Sequence, residues 1–135
     1  MKLKTSSATP LQIDWAVAKC EGLDVYIPAF ANKPWLQYKD CHGQAHHCPS
    51  WSTDWAHGGP IIEREFIRLT TDTMWLTEGK PVCWVAEKRL PPPERTPFAS
   101  EVIRGVGPTP LVAAMRCYVA SKLGNEVEIP EEIND

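Results

Sequence analysis

The sequence lacks the features by which most nucleic-acid-binding and membrane proteins are identified. It contains no run of Lys or Arg, and its 14 basic and 17 acidic residues give a net charge of −3, so general binding to nucleic acid is not expected. No apolar stretch approaches the roughly 18 residues of a membrane span, and residues 1–10 lack the apolar middle of a secretory signal. We therefore expect no membrane contact and a location in the cytoplasm where the protein is made.

The common catalytic motifs are missing as well. The sequence contains no nucleophile elbow, P-loop, dinucleotide-binding fingerprint or zincin motif. His57 follows Asp54 by three residues, but in a loop this spacing fixes no geometry for acid–base catalysis. The question of an enzyme stays open, with a non-enzymatic role favoured.

What the sequence does contain is typical of one folded domain. Its 135 residues are 43% hydrophobic and 23% charged, which predicts a single domain over residues 1–135. The 13 prolines and 6 tryptophans indicate rigid, irregular connections packed down by large rings. Five cysteines cannot all pair within one chain, so we expect reduced thiols.

One pattern of helix followed by strand occurs near both ends of the chain. Each helix opens with Thr-Pro-Leu, at Thr9 and Thr109, and each is closed by a glycine before a short strand, near 24–28 and 126–130. The first helix is amphipathic, with Gln12 and Asp14 off its apolar face. The second is apolar nearly all round, which predicts burial.

The middle of the chain carries strand patterns. Residues 61–69, 73–77 and 82–87 are predicted strands, and a proline-rich connector is expected at about 90–108. The predicted fold is therefore α+β, with a small antiparallel sheet packed against a buried C-terminal helix and an N-terminal amphipathic helix.

A dense group of possible metal ligands lies in the segment 41–48. The zinc-ligand types there are Cys41, His42, His46, His47 and Cys48. Their spacing is not that of the common paired knuckles, so a polar, partly exposed loop is favoured and a zinc site is the alternative. Cys83 and Cys117 are expected to be small core residues. No cofactor is otherwise expected.

The segment 51–65 is the best candidate for a binding site. Two indoles, hydroxyls, an Asp, a His and a Gly-Gly pair precede a predicted strand, as in a loop of special backbone shape. The indoles could sandwich a planar ligand, the glycine N–H groups could face an anion, and Arg64 could bind a phosphate or carboxylate. The alternative is that the rings cover the core and Asp54 bonds its own loop. The candidate ligand-binding residues are Trp51, Thr53, Asp54, Trp55, His57, Gly58, Gly59, Glu63, Arg64 and Arg116.

Arg116 lies in the middle of the apolar C-terminal helix. A lone buried guanidinium is very costly. We therefore expect either that its head reaches solvent or that it pairs with a carboxylate such as Glu63 or Glu65.

Two segments carry a family resemblance: Ser-Thr-Asp-Trp-Ala-His-Gly-Gly-Pro-Ile-Ile-Glu-Arg-Glu at 52–65 and Thr-Pro-Leu-Val-Ala-Ala-Met-Arg-Cys-Tyr-Val-Ala-Ser-Lys-Leu-Gly at 109–124. Together with Asp-Trp-Ala-Val-Ala-Lys at 14–19, they resemble the NinX-like family of small phage and prophage proteins, a domain of unknown function. The resemblance implies a phage accessory gene product acting in the bacterial host cytoplasm. It implies no catalytic residue, and it does not extend to the segments 41–48 and 91–97.

Three functions remain open at this point. The first is a non-enzymatic binder of a host small molecule, nucleotide-like or anionic, which could sequester a signal of host defence. The second is an inhibitor or adaptor that contacts a host protein through exposed tryptophans and the proline-rich connector. The third is a zinc-binding protein. A homodimer or higher oligomer is a further possibility, since a short strand such as 126–129 leaves an edge to cover.

Overall fold

The computed structural model describes residues 1–29, 33–71, 83–90 and 101–133. Over these ranges the fold is α+β, as predicted. The α-helices are Pro10–Cys20 (α1), Trp55–Arg64 (α2) and Pro110–Leu123 (α3). The strands are Lys2–Lys4 (β1), Asp24–Tyr26 (β2), Gln37–Lys39 (β3), Ala45–His47 (β4), Arg68–Thr71 (β5), Trp84–Arg89 (β6), Val102–Gly107 (β7) and Glu126–Glu128 (β8), and 3₁₀ turns span Thr5–Ser7 and Glu131–Ile133. Among the described helices, none is both long and apolar enough to cross a bilayer.

In the described part of the chain all strand pairs are antiparallel, and they form three small sheets where one was predicted. β1 pairs with β8, β2 and β4 flank β3, and β5 and β7 flank β6. The last of these sheets packs against α3 through β6 and β7, which confirms the predicted packing of a sheet on the C-terminal helix.

α3 forms the centre of the core. Its buried residues occupy every side of the helix, and they are Leu111, Val112, Ala113, Ala114, Met115, Cys117, Tyr118 and Val119. β7 lies against it at very short range, because a Cβ at Gly105 would fall 2.3 Å from the carbonyl oxygen of Ala113. A glycine there is thus a condition for the contact between strand and helix.

The capping predicted for both terminal helices is present. The Thr9 hydroxyl accepts from the Gln12 N–H at 3.4 Å, the Gln12 side chain accepts from the Thr9 N–H at 2.9 Å, and Thr109 caps α3. The prediction for the polar face of α1 was wrong, because Gln12 and Asp14 are buried. The Gln12 side chain donates to the Ile133 carbonyl at 2.9 Å and Asp14 accepts from the Ser52 N–H at 2.9 Å, so tertiary partners replace water.

The predicted loop at 51–65 is mostly helix, and the strand predicted at 61–69 begins only at Arg68. Asp54 caps α2 by accepting from the Ala56 N–H at 3.0 Å, and the helix continues through Gly58, Gly59 and Pro60. These three residues have low helix propensity. Tertiary packing explains why a glycine is needed here, since a Cβ at Gly58 would fall 2.4 Å from the Trp51 carbonyl oxygen.

The prediction of a proline-rich connector at 90–108 was wrong for its last part. Residues 102–107 form β7, which pairs along its whole length with β6; residues 91–100 and the strand predicted at 73–77 lie outside the described residues. All five cysteines are free, with Cys117 buried and Cys83 partly buried. The core position predicted for Cys117 is confirmed.

Candidate functional site

A cleft of about 320 Å³ lies where the N-terminal ends of α1, α2 and α3 come together. Its walls include Pro10, Thr53, Trp55, Pro110 and Leu111. The wall is mostly apolar for a structural reason. Two of the three helices begin with proline, which has no N–H, and caps at the start of each helix already accept from an N–H of the first turn.

Trp55 supplies the large exposed surface of this cleft. It is the first residue of α2, and 54% of it is exposed. The ring lies back along its own helix, because a Cβ at Gly59 would come 3.9 Å from the indole Cε3. A tryptophan has only two side-chain torsions, so an exposed indole offers an aromatic face at little cost in side-chain entropy.

The expected sandwich of two tryptophans is not formed. Trp51 is only 6% exposed and belongs to the hydrophobic core. Its backbone supports α2 at Gly58, whose missing Cβ also leaves room for the Leu111 side chain. The sequence left two interpretations of the tryptophans open. Trp51 covers the core, whereas Trp55 exposes its aromatic face.

Asp54 and His57 form an exposed pair beside the cleft. The Asp54 Oδ2 lies 2.8 Å from the His57 Nδ1, and each side chain is 48% exposed. The Ala56 N–H, followed by His57, holds the pKa of Asp54 below its ordinary value. The carboxyl group is therefore ionised at neutral pH and acts as the helix cap. This agrees with the alternative hypothesis from the sequence, in which Asp54 bonds to its own segment.

The glycine pair does not present a free anion site. The Gly58 N–H donates to the Asp54 carbonyl at 2.9 Å, and Gly59 follows it inside α2. The N–H of Gly58 is thus used within the helix. The prediction that it faces an anion was wrong for that reason.

Arg64 lies at the opposite end of α2 from Trp55, about 14 Å along the axis of a regular helix. Its guanidinium donates to Glu21 at 2.7 and 3.4 Å and to the Tyr118 hydroxyl at 3.2 Å. Glu21, followed by Glu65, raises the pKa of Arg64, while burial raises the pKa of Tyr118. Arg64 therefore ties together the three helices and does not share a site with Trp55; Glu63 is exposed nearby.

Arg116 pairs with neither Glu63 nor Glu65, contrary to one of the two predictions. Its guanidinium donates to the carbonyls of Val106 at 2.7 Å and Ala8 at 2.8 Å. Burial lowers its pKa. Within the described ranges no carboxylate forms an ion pair with it and its Nε has no hydrogen-bond partner.

The Cys/His segment forms the turn after β3 and the strand β4, and its residues 41–47 are polar or small and exposed. His46 stacks on Tyr38 with ring centroids 5.3 Å apart, and its Nε2 lies 2.7 Å from Asp40. Cys48 is buried, and burial raises the pKa of its thiol to about 11. In the part of the chain that the structure describes, no three Cys, His, Asp or Glu side chains are grouped to hold a metal ion.

Two features of interest were missed from the sequence. Asp14 is buried, and its burial raises its pKa to about 6. A second depression, of about 240 Å³, is lined by Lys4, Arg104 and Arg116. These cations are far apart in sequence, and only the pairing of β1 with β8 and the packing of β7 on α3 bring them together, so no local signal could have revealed them.

Comparison with known proteins supports the resemblance found in the sequence. The family model described as Bacteriophage P22, NinX matches residues 4–122. The match includes α1, α2 and α3 up to Lys122, and therefore every wall of the cleft beside Trp55. No curated protein matches the chain.

Proposed function

Because this chain belongs to the bacteriophage P22 NinX family, we propose that it is a phage accessory protein. We further propose that it binds a host small molecule in the cleft beside Trp55, without catalysing a reaction. The observation that carries the proposal is the half-exposed indole over an apolar cleft of about 320 Å³. Clefts of about this size and polarity are typical of small-molecule sites.

The walls favour a planar, apolar group as the part of the ligand that enters. The helix caps and the two prolines leave the cleft with few free donors, which argues against a phosphate at its centre. The Thr53 and Thr109 side chains at the wall provide hydroxyls for orientation. A nucleobase or a similar heteroaromatic ring meets these requirements, and sequestration of a nucleotide signal of host defence is the finer form of the proposal.

The test is a thermal-shift screen of nucleobases, nucleosides and nucleotides. A ligand at about 100 times its dissociation constant adds about 2.7 kcal/mol to the free energy of unfolding. We expect Trp55→Ala to abolish the stabilisation and Trp55→Phe to retain most of it. Trp35→Ala is the matched control, since Trp35 is also partly exposed, at 36%, but lines a different depression.

Two results would count against the proposal. One is a screen in which no aromatic compound stabilises the protein. The other is equal loss of the shift in Trp55→Ala and Trp35→Ala, which would mean that the ligand does not distinguish the cleft from another exposed indole.

A second candidate function is an adaptor or inhibitor of a host protein, and Phe66 favours it. Its side chain is 89% exposed, and its backbone φ of 54° lies in the left-handed region, which is unusual for a bulky residue. Isolated exposed aromatic rings of this kind can serve as interface anchors. If this function is correct, Phe66→Ala will weaken association with the host partner. No small molecule will raise the unfolding temperature of the parent protein, so Trp55→Ala will change nothing in the thermal-shift screen.

A further inference from the structure

The depression lined by Lys4, Arg104 and Arg116 lies between the 3₁₀ turn Thr5–Ser7, β7 and α3. The whole chain carries a net charge of −3, yet this depression has three cations and one carboxylate, that of Glu126, in its wall. A concave surface with low-dielectric walls focuses such a local excess of charge. The local electrostatics are thus opposite in sign to those of the molecule.

The cations are only partly neutralised by the residues around them within the described ranges. Lys4 lies directly opposite Glu126 in the pairing of β1 and β8, but the ion pairs formed within the described ranges do not include this one. Arg104 forms one ion pair within the described ranges, with 3.4 Å between its Nε and the Glu87 carboxylate. Its terminal nitrogens are therefore available to a ligand.

Arg116 forms the fixed part of the wall. Two backbone carbonyls hold its guanidinium in one orientation, and they leave its charge without a carboxylate within the described ranges. A guanidinium held in place in this way binds an oxyanion without first losing side-chain freedom. Burial lowers the pKa of this group, so a bound anion would offset part of its cost of burial.

Neutral donors complete the wall. Ser6 and Asn125 line the same depression, and the hydrogen bonds made within the described residues do not involve their side chains. At Gly105 the strand has no side chain, which keeps β7 pressed on α3. The arrangement combines three charged donors, a hydroxyl and an amide around a volume of about 240 Å³.

We propose that this depression is a binding site for a small phosphate-bearing anion, held by Lys4, Arg104 and Arg116. The site is separate from the cleft beside Trp55 and does not depend on the function proposed for that cleft. It also moves the expected anion site away from the Gly58, Gly59 and Arg64 positions of α2, to a wall in which the side chains of Lys4, Ser6 and Asn125 make no hydrogen bond within the described residues.

The test uses inorganic pyrophosphate as the probe, titrated at constant ionic strength with chloride as the competing salt. Two-dimensional amide spectra should show saturable shifts at Ser6, Gly105 and Asn125. The double variant Lys4→Gln/Arg104→Gln should weaken binding by about tenfold or more, since each charged hydrogen bond contributes on the order of a tenfold change. Glu126→Gln should tighten binding severalfold, because it removes the carboxylate that the described part of the wall contains.

The matched control is Lys33→Gln/Lys39→Gln, which removes the same charge from two exposed positions away from the depression. We expect its affinity for pyrophosphate to stay within about twofold of the parent, as for distant exposed charges that salt screens. The proposal is overturned if pyrophosphate causes no saturable shift beyond that of chloride, if the control loses as much affinity as Lys4→Gln/Arg104→Gln, or if Glu126→Gln weakens binding.

Discussion

Asp14 makes the stability of the protein depend on pH in an unusual direction. Burial raises its pKa from 3.8 to about 6, so between about pH 4 and 6 the folded state holds a proton that the unfolded state has released. The contribution of Asp14 to the free energy of unfolding is therefore greatest below about pH 4 and falls as the pH rises through 6. At about 1.4 kcal/mol per pKa unit, the loss is about 3 kcal/mol.

The variant Asp14→Asn should remove this dependence. Its amide oxygen can still accept from the Ser52 N–H, which donates to Asp14 at 2.9 Å, and it has no charge to desolvate. We expect a gain of about 1 to 3 kcal/mol at pH 7.5 and little change at pH 4. Urea unfolding at several pH values measures the difference. Asp40, Asp54 and Glu65, whose pKa values are lowered, contribute the opposite slope in both proteins, so subtraction isolates Asp14.

Arg64 should behave as a structural residue and not as a ligand contact. Its ion pair with Glu21 and its contact with Tyr118 join α1, α2 and α3, but its side chain is 51% exposed, so solvent screens much of the interaction. We expect Arg64→Ala to lower the free energy of unfolding by about 1 kcal/mol. Stabilisation by a ligand of the Trp55 cleft should survive in this variant, and its loss with the fold intact would return Arg64 to the site.

At the scale of secondary-structure elements, the contact between β7 and α3 sets the strictest requirement. An added Cβ at Gly105 would lie 2.3 Å from the Ala113 oxygen and 2.4 Å from the Cys117 nitrogen, and these backbone atoms cannot move without separating the two elements. Gly105→Ala should therefore cost about 3 kcal/mol or more. The neighbouring Val106, which is 46% exposed, is the control, and Val106→Ala should cost about 0.5 kcal/mol or less. Chemical denaturation of both variants makes the comparison.

The same elements show what local sequence could and could not predict. α1 and α3 carry their own start and stop signals in Thr9, Thr109 and the glycines that follow each helix, so they were predicted with their following strands. α2 was missed because Gly58, Gly59 and Pro60 have low helix propensity, and its formation depends on the backbone of Trp51, which lies outside the helix. β7 was missed for a similar reason. Gly105 and Gly107 are typical of a connector in the sequence, and their role depends on the close packing of β7 on α3.

The candidate site followed the same division. The sequence singled out Trp55 because an indole near turn-forming residues is a local signal; its exposure is observed, and its role in binding stays a prediction. The separation of Trp55 from Trp51 and Arg64 was not predictable, since it follows from the unexpected helix between them. Asp14 was read as a surface residue because its partner, Ser52, is 38 positions away.

For the molecule as a whole, stability should be unevenly distributed. α3 is mostly buried and packs against α1, β6 and β7, whereas all three residues of β4 are exposed. We expect the amides of residues 113–119 to exchange with solvent only through global unfolding, and those of β4 to exchange about a hundredfold faster or more through local opening. Hydrogen-exchange mass spectrometry tests this order. Equal protection of α3 and the β3–β4 hairpin would contradict it.

The contact made by Gly58 has a consequence for the rate at which a ligand would associate with the cleft beside Trp55. α2 packs closely on the Trp51 backbone and against Leu111, so we expect the helix that carries Trp55 to keep its position when a ligand binds. Association should therefore follow simple second-order kinetics, with an observed rate that rises linearly with concentration and no plateau from a slow rearrangement. Differences in affinity between ligands would then come mainly from their dissociation rates.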